Sequence, residues 1–271
     1  MTNRTGSGEA ATGRLELDGI TKSFGGLVAS SNVSFAIEPG RVHGLIGPNG
    51  AGKSTTINMI SGFLRPDSGR IKLGARDITA VEPSLLARLG VVRTFQQATP
   101  LAGLTVLENV MVGLHVHYRA SLLSVLLRLP GMRSEARRLA GQARELVARF
   151  GLENEAGMDA AALTFGKLRL LEIARSVALS PKFLLLDEPA AGLNAVETEA
   201  LAAIVRELRA RGVGVLLVDH DVPFIFRLCD HVTVMNFGTV IASGAPDTVY
   251  RDPAVRQAYL GTDDSAPSAA A

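Results

Sequence analysis

Gly47-Pro48-Asn49-Gly50-Ala51-Gly52-Lys53-Ser54 fits the pattern G-x-x-x-x-G-K-[ST]. Before it runs Arg41-Val42-His43-Gly44-Leu45-Ile46, an apolar stretch; after it, Thr55-Thr56-Ile57-Asn58-Met59-Ile60 reads as a helix. Strand, glycine loop and helix form the context in which the pattern binds phosphate. Glycines let backbone N–H groups turn toward phosphate oxygens without a Cβ in the way. The helix N-terminus adds partial positive charge. Residues Gly47 to Ser54, with Thr55 beside them, are therefore the candidate phosphate cradle. Lys53 would reach the β and γ phosphates and the Ser54 hydroxyl would bind Mg²⁺. The alternative is an ordinary glycine-rich turn.

A second stretch supplies what such a loop needs opposite it. Phe183-Leu184-Leu185-Leu186-Asp187-Glu188 is an apolar run ending in two carboxylates. Such a run predicts a buried parallel strand that delivers both acids to its C-terminal edge. There Asp187 would hold Mg²⁺ through water and Glu188 would polarise an attacking water. The competing reading is an acidic helix cap, since Pro189 follows and acids favour helix starts. Leu216-Leu217-Val218-Asp219-His220 repeats the theme, with His220 placed to hydrogen-bond a γ-phosphate or simply to face solvent. Leu163-Thr164-Phe165-Gly166-Lys167 precedes an amphipathic pattern over 167–179. Thr164 reads as an N-cap and Gly166 as a residue that keeps the turn open, which makes a capping turn or an anion site.

The chain has 271 residues, 47% of them apolar, enough to bury the core of one large α/β domain or two small ones. A net charge of +2 gives no reason to expect nucleic acid as a partner. Cys229 is the one cysteine, so no intrachain disulfide forms, which fits a reducing compartment. Residues 1–13 are polar and glycine-rich and do not read as a secretory signal. The apolar-looking Ser121–Leu127 is too short to span a bilayer, so the chain is expected to be soluble and to meet a membrane only through a partner.

Apolar runs at 14–20, 32–37, 41–46, 69–73, 183–187, 214–219, 231–236 and 239–242 read as strands. Helices are expected at 53–61, 105–117, 133–150, 167–179, 195–211 and 221–228. Their alternation predicts an α/β fold with a mainly parallel sheet covered on both faces. The domain is expected over 14–261, with a helical subdomain at about 83–165 and disordered tails at 1–13 and 262–271.

Taken in order, these segments resemble ATP-binding cassette (ABC) transporter ATPase subunits over about residues 14–261. The elements are the loop 47–54, Arg93-Thr94-Phe95-Gln96, the signature-like 163–167, Asp187-Glu188 and His220. The resemblance implies a phosphate-loop NTPase core with a mainly parallel sheet, an antiparallel β subdomain and a helical subdomain. It implies that Phe24 stacks on adenine, with a core phenylalanine as the alternative. It implies that Gln96, rather than its neighbour Gln97, senses Mg²⁺ and the membrane subunit. Thr164 and Gly166 would contact ATP held by the opposite subunit, and His220 would be the switch histidine. Two such subunits sandwich ATP head to tail, so a second ATPase subunit, identical or homologous, is an expected partner. Polytopic permease subunits at the cytoplasmic face of the membrane, and indirectly a solute-binding protein, complete the assembly. The usual Leu-Ser-Gly-Gly-Gln signature differs here at three positions, Thr164, Phe165 and Lys167, and Asn194 stands where many members have aspartate. Phe24-Gly25-Gly26-Leu27, Leu171-Glu172-Ile173-Ala174-Arg175, Pro189-Ala190-Ala191-Gly192-Leu193-Asn194, Ala258-Tyr259-Leu260-Gly261 and a long insert at 114–135 resemble importers of branched-chain amino acids. Urea and amide importers share most of these stretches. A soluble, non-transport ABC ATPase and a small-molecule kinase are the readings from other classes.

Overall fold

The computed structural model describes residues 13–94, 100–101, 103–115 and 130–260. Gln96 and Gln97, most of the 114–135 insert and nearly all of both tails lie outside the described residues.

The strands are β1 (Leu15–Phe24), β2 (Leu27–Ile37), β3 (Val42–Ile46), β4 (Ser68–Leu73), β5 (Arg76–Asp77), β6 (Val91–Arg93), β7 (Phe183–Asp187), β8 (Gly214–Val218), β9 (His231–Asn236) and β10 (Thr239–Gly244). The helices are α1 (Lys53–Ile60), α2 (Pro83–Leu89), α3 (Val106–His115), α4 (Pro130–Arg149), α5 (Phe165–Ala178), α6 (Ala195–Ala210), α7 (Val222–Leu228), α8 (Pro246–Arg251) and α9 (Pro253–Leu260). A six-stranded sheet runs β10-β9-β3-β8-β7-β6, and a four-stranded sheet runs β2-β1-β4-β5. In the larger sheet every pairing is parallel except β10 with β9. The smaller sheet is antiparallel throughout.

The apolar runs read from the sequence are buried on both faces, as central parallel strands require. Alternate residues of β7 and β8 enter two different cores. Leu184, Leu186, Val215 and Leu217 pack with helices α3 to α7. Phe183, Leu185, Leu216 and Val218 pack with α1 and with the inner face of the antiparallel sheet. The larger sheet is thus the middle layer, with helices on one side and the small sheet plus α1 on the other. Close packing is set by missing side chains: a Cβ on Gly44 of β3 would stand 2.7 Å from Ile225 on α7 and 3.0 Å from the sulfur of Cys229, the C-cap of that helix. Parallel strands in this layer end together, so the loops after β3, β7 and β8 gather at one edge.

Several expectations shift. β1 and β2 extend to a hairpin tip at Phe24 and Leu27, well beyond 14–20 and 32–37. The stretch 83–165 is not wholly helical, because β6 lies inside it and pairs with β7. α5 begins at Phe165, so Gly166 is a helical residue and not a turn opener. The short elements β5, β6, α2, α8 and α9 were not anticipated.

Candidate nucleotide site

The loop 47–54 leaves β3 and enters α1, the connection its sequence predicts. Gly52 takes φ +98° at the N-cap of α1 and Gly50 takes φ +81°. A Cβ on Gly52 would run into the Ala29 carbonyl oxygen, and one on Gly47 into that of Met235. The loop is therefore pressed against β2 and the end of β9, and only glycine fits at those two positions. The Gly238 N–H donates to the Ala51 carbonyl (3.0 Å), and Ala51 itself is buried. Pro48 is half-buried, while Asn49, Gly50 and Ser54 are exposed at the mouth and Thr55 is half-buried behind them.

Lys53 is 8% exposed, and its ammonium donates to the carbonyl oxygens of Gly47 (2.6 Å) and Pro48 (3.0 Å). Burial lowers its pKa, opposed by the charges of Glu188, Asp187 and Asp219. Three carboxylates from the ends of β7 and β8 therefore act on the charge of the loop's lysine. Asp187 is 1% exposed and its Oδ2 accepts from Arg93 Nη2 at 2.9 Å. Glu188 holds φ +46°, its N–H donating to the Val218 carbonyl (2.7 Å). That backbone conformation is unusual outside glycine and asparagine and marks a constrained turn. No helix starts at this turn: the next one begins at Ala195 with Asn194 as its N-cap, so the acids are not a helix cap.

Asp219 accepts the N–H groups of His220 (2.8 Å) and Asp221 (3.0 Å) and is buried. It was read only as part of a polar pair; its signal was its place at the end of the apolar run of β8. The His220 side chain is 64% exposed, its Nδ1 3.5 Å from Asp219. Phe24 is 48% exposed at the hairpin tip, with the Lys22 ammonium 5.7 Å from its ring centroid, so it is not a core residue.

The signature-like stretch forms a separate surface. Thr164 is the N-cap of α5 but makes no side-chain capping bond, and Phe165 is 54% exposed. Gly166 is buried because a Cβ there would stand within 2.7 Å of the Glu197 carboxyl carbon. Glu197 closes a capping box with Asn194 at the start of α6. Asn194 thus holds a helix end, a task that needs a side-chain acceptor and no charge. Lys167, the departure from the usual amide, forms an ion pair with Glu155 of the same chain. Among the described residues no hydrogen bond or ion pair joins 163–167 to 47–54.

Two arginines and a tyrosine were missed by sequence reasoning. Arg93 anchors Asp187 from β6. Arg169, 2% exposed on α5, donates to the carbonyl oxygens of Asp187 (3.2 Å) and Glu188 (2.8 Å) and pairs with the buried Glu172 (3.1 Å). Tyr259 of α9 packs against the Gly47 backbone, and burial raises its pKa.

Comparison with known proteins agrees with this geometry. Residues 30–191 match the ABC transporter family, and residues 239–265 match a family described as branched-chain amino acid ATP-binding cassette transporter. The chain is 40% identical over 248 residues to the high-affinity branched-chain amino acid transport ATP-binding protein BraF of Pseudomonas aeruginosa, covering 91% of this chain and 97% of that one. It superposes on a crystal structure of an ABC transporter's ATP-binding cassette in its ADP conformation, with TM-score 0.77 and 35% identity over 91% of this chain and 98% of that one. A dimeric cassette in a post-hydrolysis state with ADP and phosphate is similar at TM-score 0.74 and 25% identity, covering 86% of this chain and 98% of that one. On its fold, its phosphate loop and these relatives, the chain belongs to the ABC transporter family, among its ATPase cassettes.

Proposed function

We propose that this chain binds ATP with Mg²⁺ and hydrolyses it to energise a membrane importer of branched-chain amino acids. The observation that carries the catalytic part is that Lys53 of the glycine loop lies within electrostatic reach of Glu188, Asp187 and Asp219, which stand at the ends of β7 and β8. The solute class is supported by the match of residues 239–265 and by the relative BraF. Among the described residues, no helix is long and apolar enough to cross a membrane. As the ATPase of a membrane importer, the chain would sit at the cytoplasmic face, held there by permease subunits.

The roles follow from the groups present. Backbone N–H groups of the loop and of the first turn of α1 bind phosphate oxygens. Lys53 exchanges its two loop carbonyls for phosphate oxygens, which are stronger acceptors for an ammonium. Ser54 and Asp187 are hard oxygen donors and suit Mg²⁺, which takes one or two side chains together with substrate phosphates. The Mg²⁺ supplies charge neutralisation on the phosphates that the transfer displaces. Glu188 accepts a proton from the attacking water, and its fixed backbone aims the carboxylate. His220, free of a tight internal bond, turns to the γ-phosphate. Phe24 offers an exposed ring face for the base.

Thr164 and Phe165 are exposed at a helix N-terminus, with no hydrogen bond or ion pair to the loop of their own chain among the described residues. They suit phosphate held by a second cassette, so each ATP lies between two ATPase subunits. Closure upon ATP and reopening after hydrolysis then move the membrane subunits.

The test combines two measurements. The Glu188→Gln variant should bind ATP with wild-type affinity, lose at least about 90% of turnover and accumulate as an ATP-dependent dimer. Affinity purification of the tagged chain from detergent-solubilised membranes should recover polytopic permease subunits. Wild-type turnover in the variant refutes the catalytic assignment; recovery of soluble proteins alone refutes the transport assignment.

A further inference from the structure

Arg93 closes β6 and reaches three elements at once. Its Nη2 donates to Asp187 Oδ2 at 2.9 Å, and its Nη1 donates to Asn58 Oδ1 at 2.6 Å and Ser61 Oγ at 3.0 Å. The guanidinium also lies 5.9 Å from the centroid of the Phe63 ring. Its side chain is 10% exposed and that of Asp187 1%. The next residue holds the same acid from the backbone side: Thr94 N–H donates to the Leu185 carbonyl (3.0 Å), and the Asp187 N–H points to Thr94 Oγ1 (3.4 Å). Asn58 and Ser61 belong to the end of α1, whose first turn carries Lys53 and Ser54.

A planar fork with one nitrogen on α1 and the other on Asp187 fixes the distance between them. The guanidinium is charged at all working pH values and cannot rotate without breaking bonds to both sides. Asp187 also lies within electrostatic reach of the Lys53 ammonium. Without that anchor the opposite charge of the ammonium would draw Asp187 away from the metal. We propose that Arg93 is a positioning residue that holds Asp187 for the nucleotide's Mg²⁺ and keeps it off Lys53. This rests on the assignment of Asp187 to the metal given above. The Arg93 guanidinium is taken up by Asn58, Ser61 and Asp187, so its effect is expected on the metal and not on metal-free binding.

The experiment measures ADP affinity with a fluorescent analogue in EDTA and in excess Mg²⁺, and takes the ratio as the metal enhancement. It compares wild type, Arg93→Met, Arg93→Lys, Asn58→Ala and Asp187→Asn. Metal-free affinity within about twofold of wild type verifies a folded pocket. The expected result is a metal enhancement at least about fivefold smaller in Arg93→Met. Arg93→Lys should be impaired nearly as much, because one ammonium cannot span Asn58, Ser61 and Asp187 in that geometry. Asn58→Ala, which keeps the charge and loses one anchor, should fall between. Wild-type enhancement in Arg93→Lys makes charge and not geometry the determinant and overturns the proposal. So does unchanged or increased enhancement in Arg93→Met while Asp187→Asn abolishes it. If Asp187→Asn also leaves the enhancement intact, the Asp187 assignment itself fails, which is a different outcome.

Discussion

Replacing Arg169 by methionine tests how the turn that carries Glu188 is held. Arg169 and Glu172 are 2% and 3% exposed and form a pair three residues apart on α5. Breaking a buried pair by removing one member costs about 3–5 kcal/mol. Arg169 also gives up its donations to the Asp187 and Glu188 carbonyls, and bonds from a charged donor are worth about 1.5–3 kcal/mol each before the methionine packs in. The two costs overlap, so about 4 kcal/mol is the expected loss, a large share of the roughly 5–15 kcal/mol a domain has in all. The double variant Arg169→Met with Glu172→Leu removes both charges and should be more stable than Arg169→Met alone by about 1–3 kcal/mol. Urea unfolding of wild type, both single variants and the double variant measures the cycle. ATPase assays on whatever remains folded should show kcat falling more than KM rises, because the Glu188 backbone at φ +46° loses its brace. A loss below about 1 kcal/mol in Arg169→Met, or strict additivity in the cycle, refutes the account of a buried pair bracing the turn.

Gly166→Ala brings a methyl against the Glu197 carboxylate, so it should break the capping box at the start of α6 and destabilise the chain by about 1–3 kcal/mol. Thermal unfolding reads the loss, and Gly166→Ala combined with Glu197→Ala should recover part of it. His43 is 3% exposed, its Nε2 2.9 Å from Thr233 Oγ1, and burial together with the charge of His231 lowers its pKa from 6.5 to about 3. Between those values the unfolded chain binds the extra proton, so this contribution is full above about pH 6.5 and is lost as pH falls toward 3. By pH 5 it has cost about 2 kcal/mol. His43→Gln should shrink the difference in unfolding free energy between pH 7.5 and pH 5 by about that amount, and an unchanged difference would count against it.

The sequence showed the parts whose shape is written in one segment. A buried parallel strand is an apolar run, and its polar end residue is visible, so Asp187 and Asp219 could be placed at an edge before any pairing was known. The glycine loop is legible because the chain itself forbids other residues at Gly52, where φ is +98°. Other elements left weaker marks. α2 carries Pro83 in its first turn and Gly90 past its end, the ordinary start and stop of a helix, yet at seven residues it shows too few repeats to reveal a period. β6 has three residues and is a strand because β7 lies beside it. Gly166 was misread for a similar reason. A glycine near a helix start reads as a turn, and its actual cause is Glu197 on another helix.

The same division runs through the site. Lys53, Ser54, Asp187 and Glu188 make up the proposed nucleotide site, and each stands in a segment whose local pattern demands it. Arg93 and Arg169 hold those acids in place, and nothing near them in the chain says where a long cationic side chain will end. An arginine on an apolar helix reads as a solvated charge until α5 is packed against the turn after β7. A motif therefore fixes which groups take part in the chemistry, and the packing fixes how firmly they are aimed. Two chains with identical phosphate loops and paired acids can differ in metal affinity or turnover through residues such as Arg169, whose partners only the packing reveals. Variants at the two arginines separate these contributions, since they alter the aim of Asp187 and Glu188 while leaving both carboxylates in the sequence.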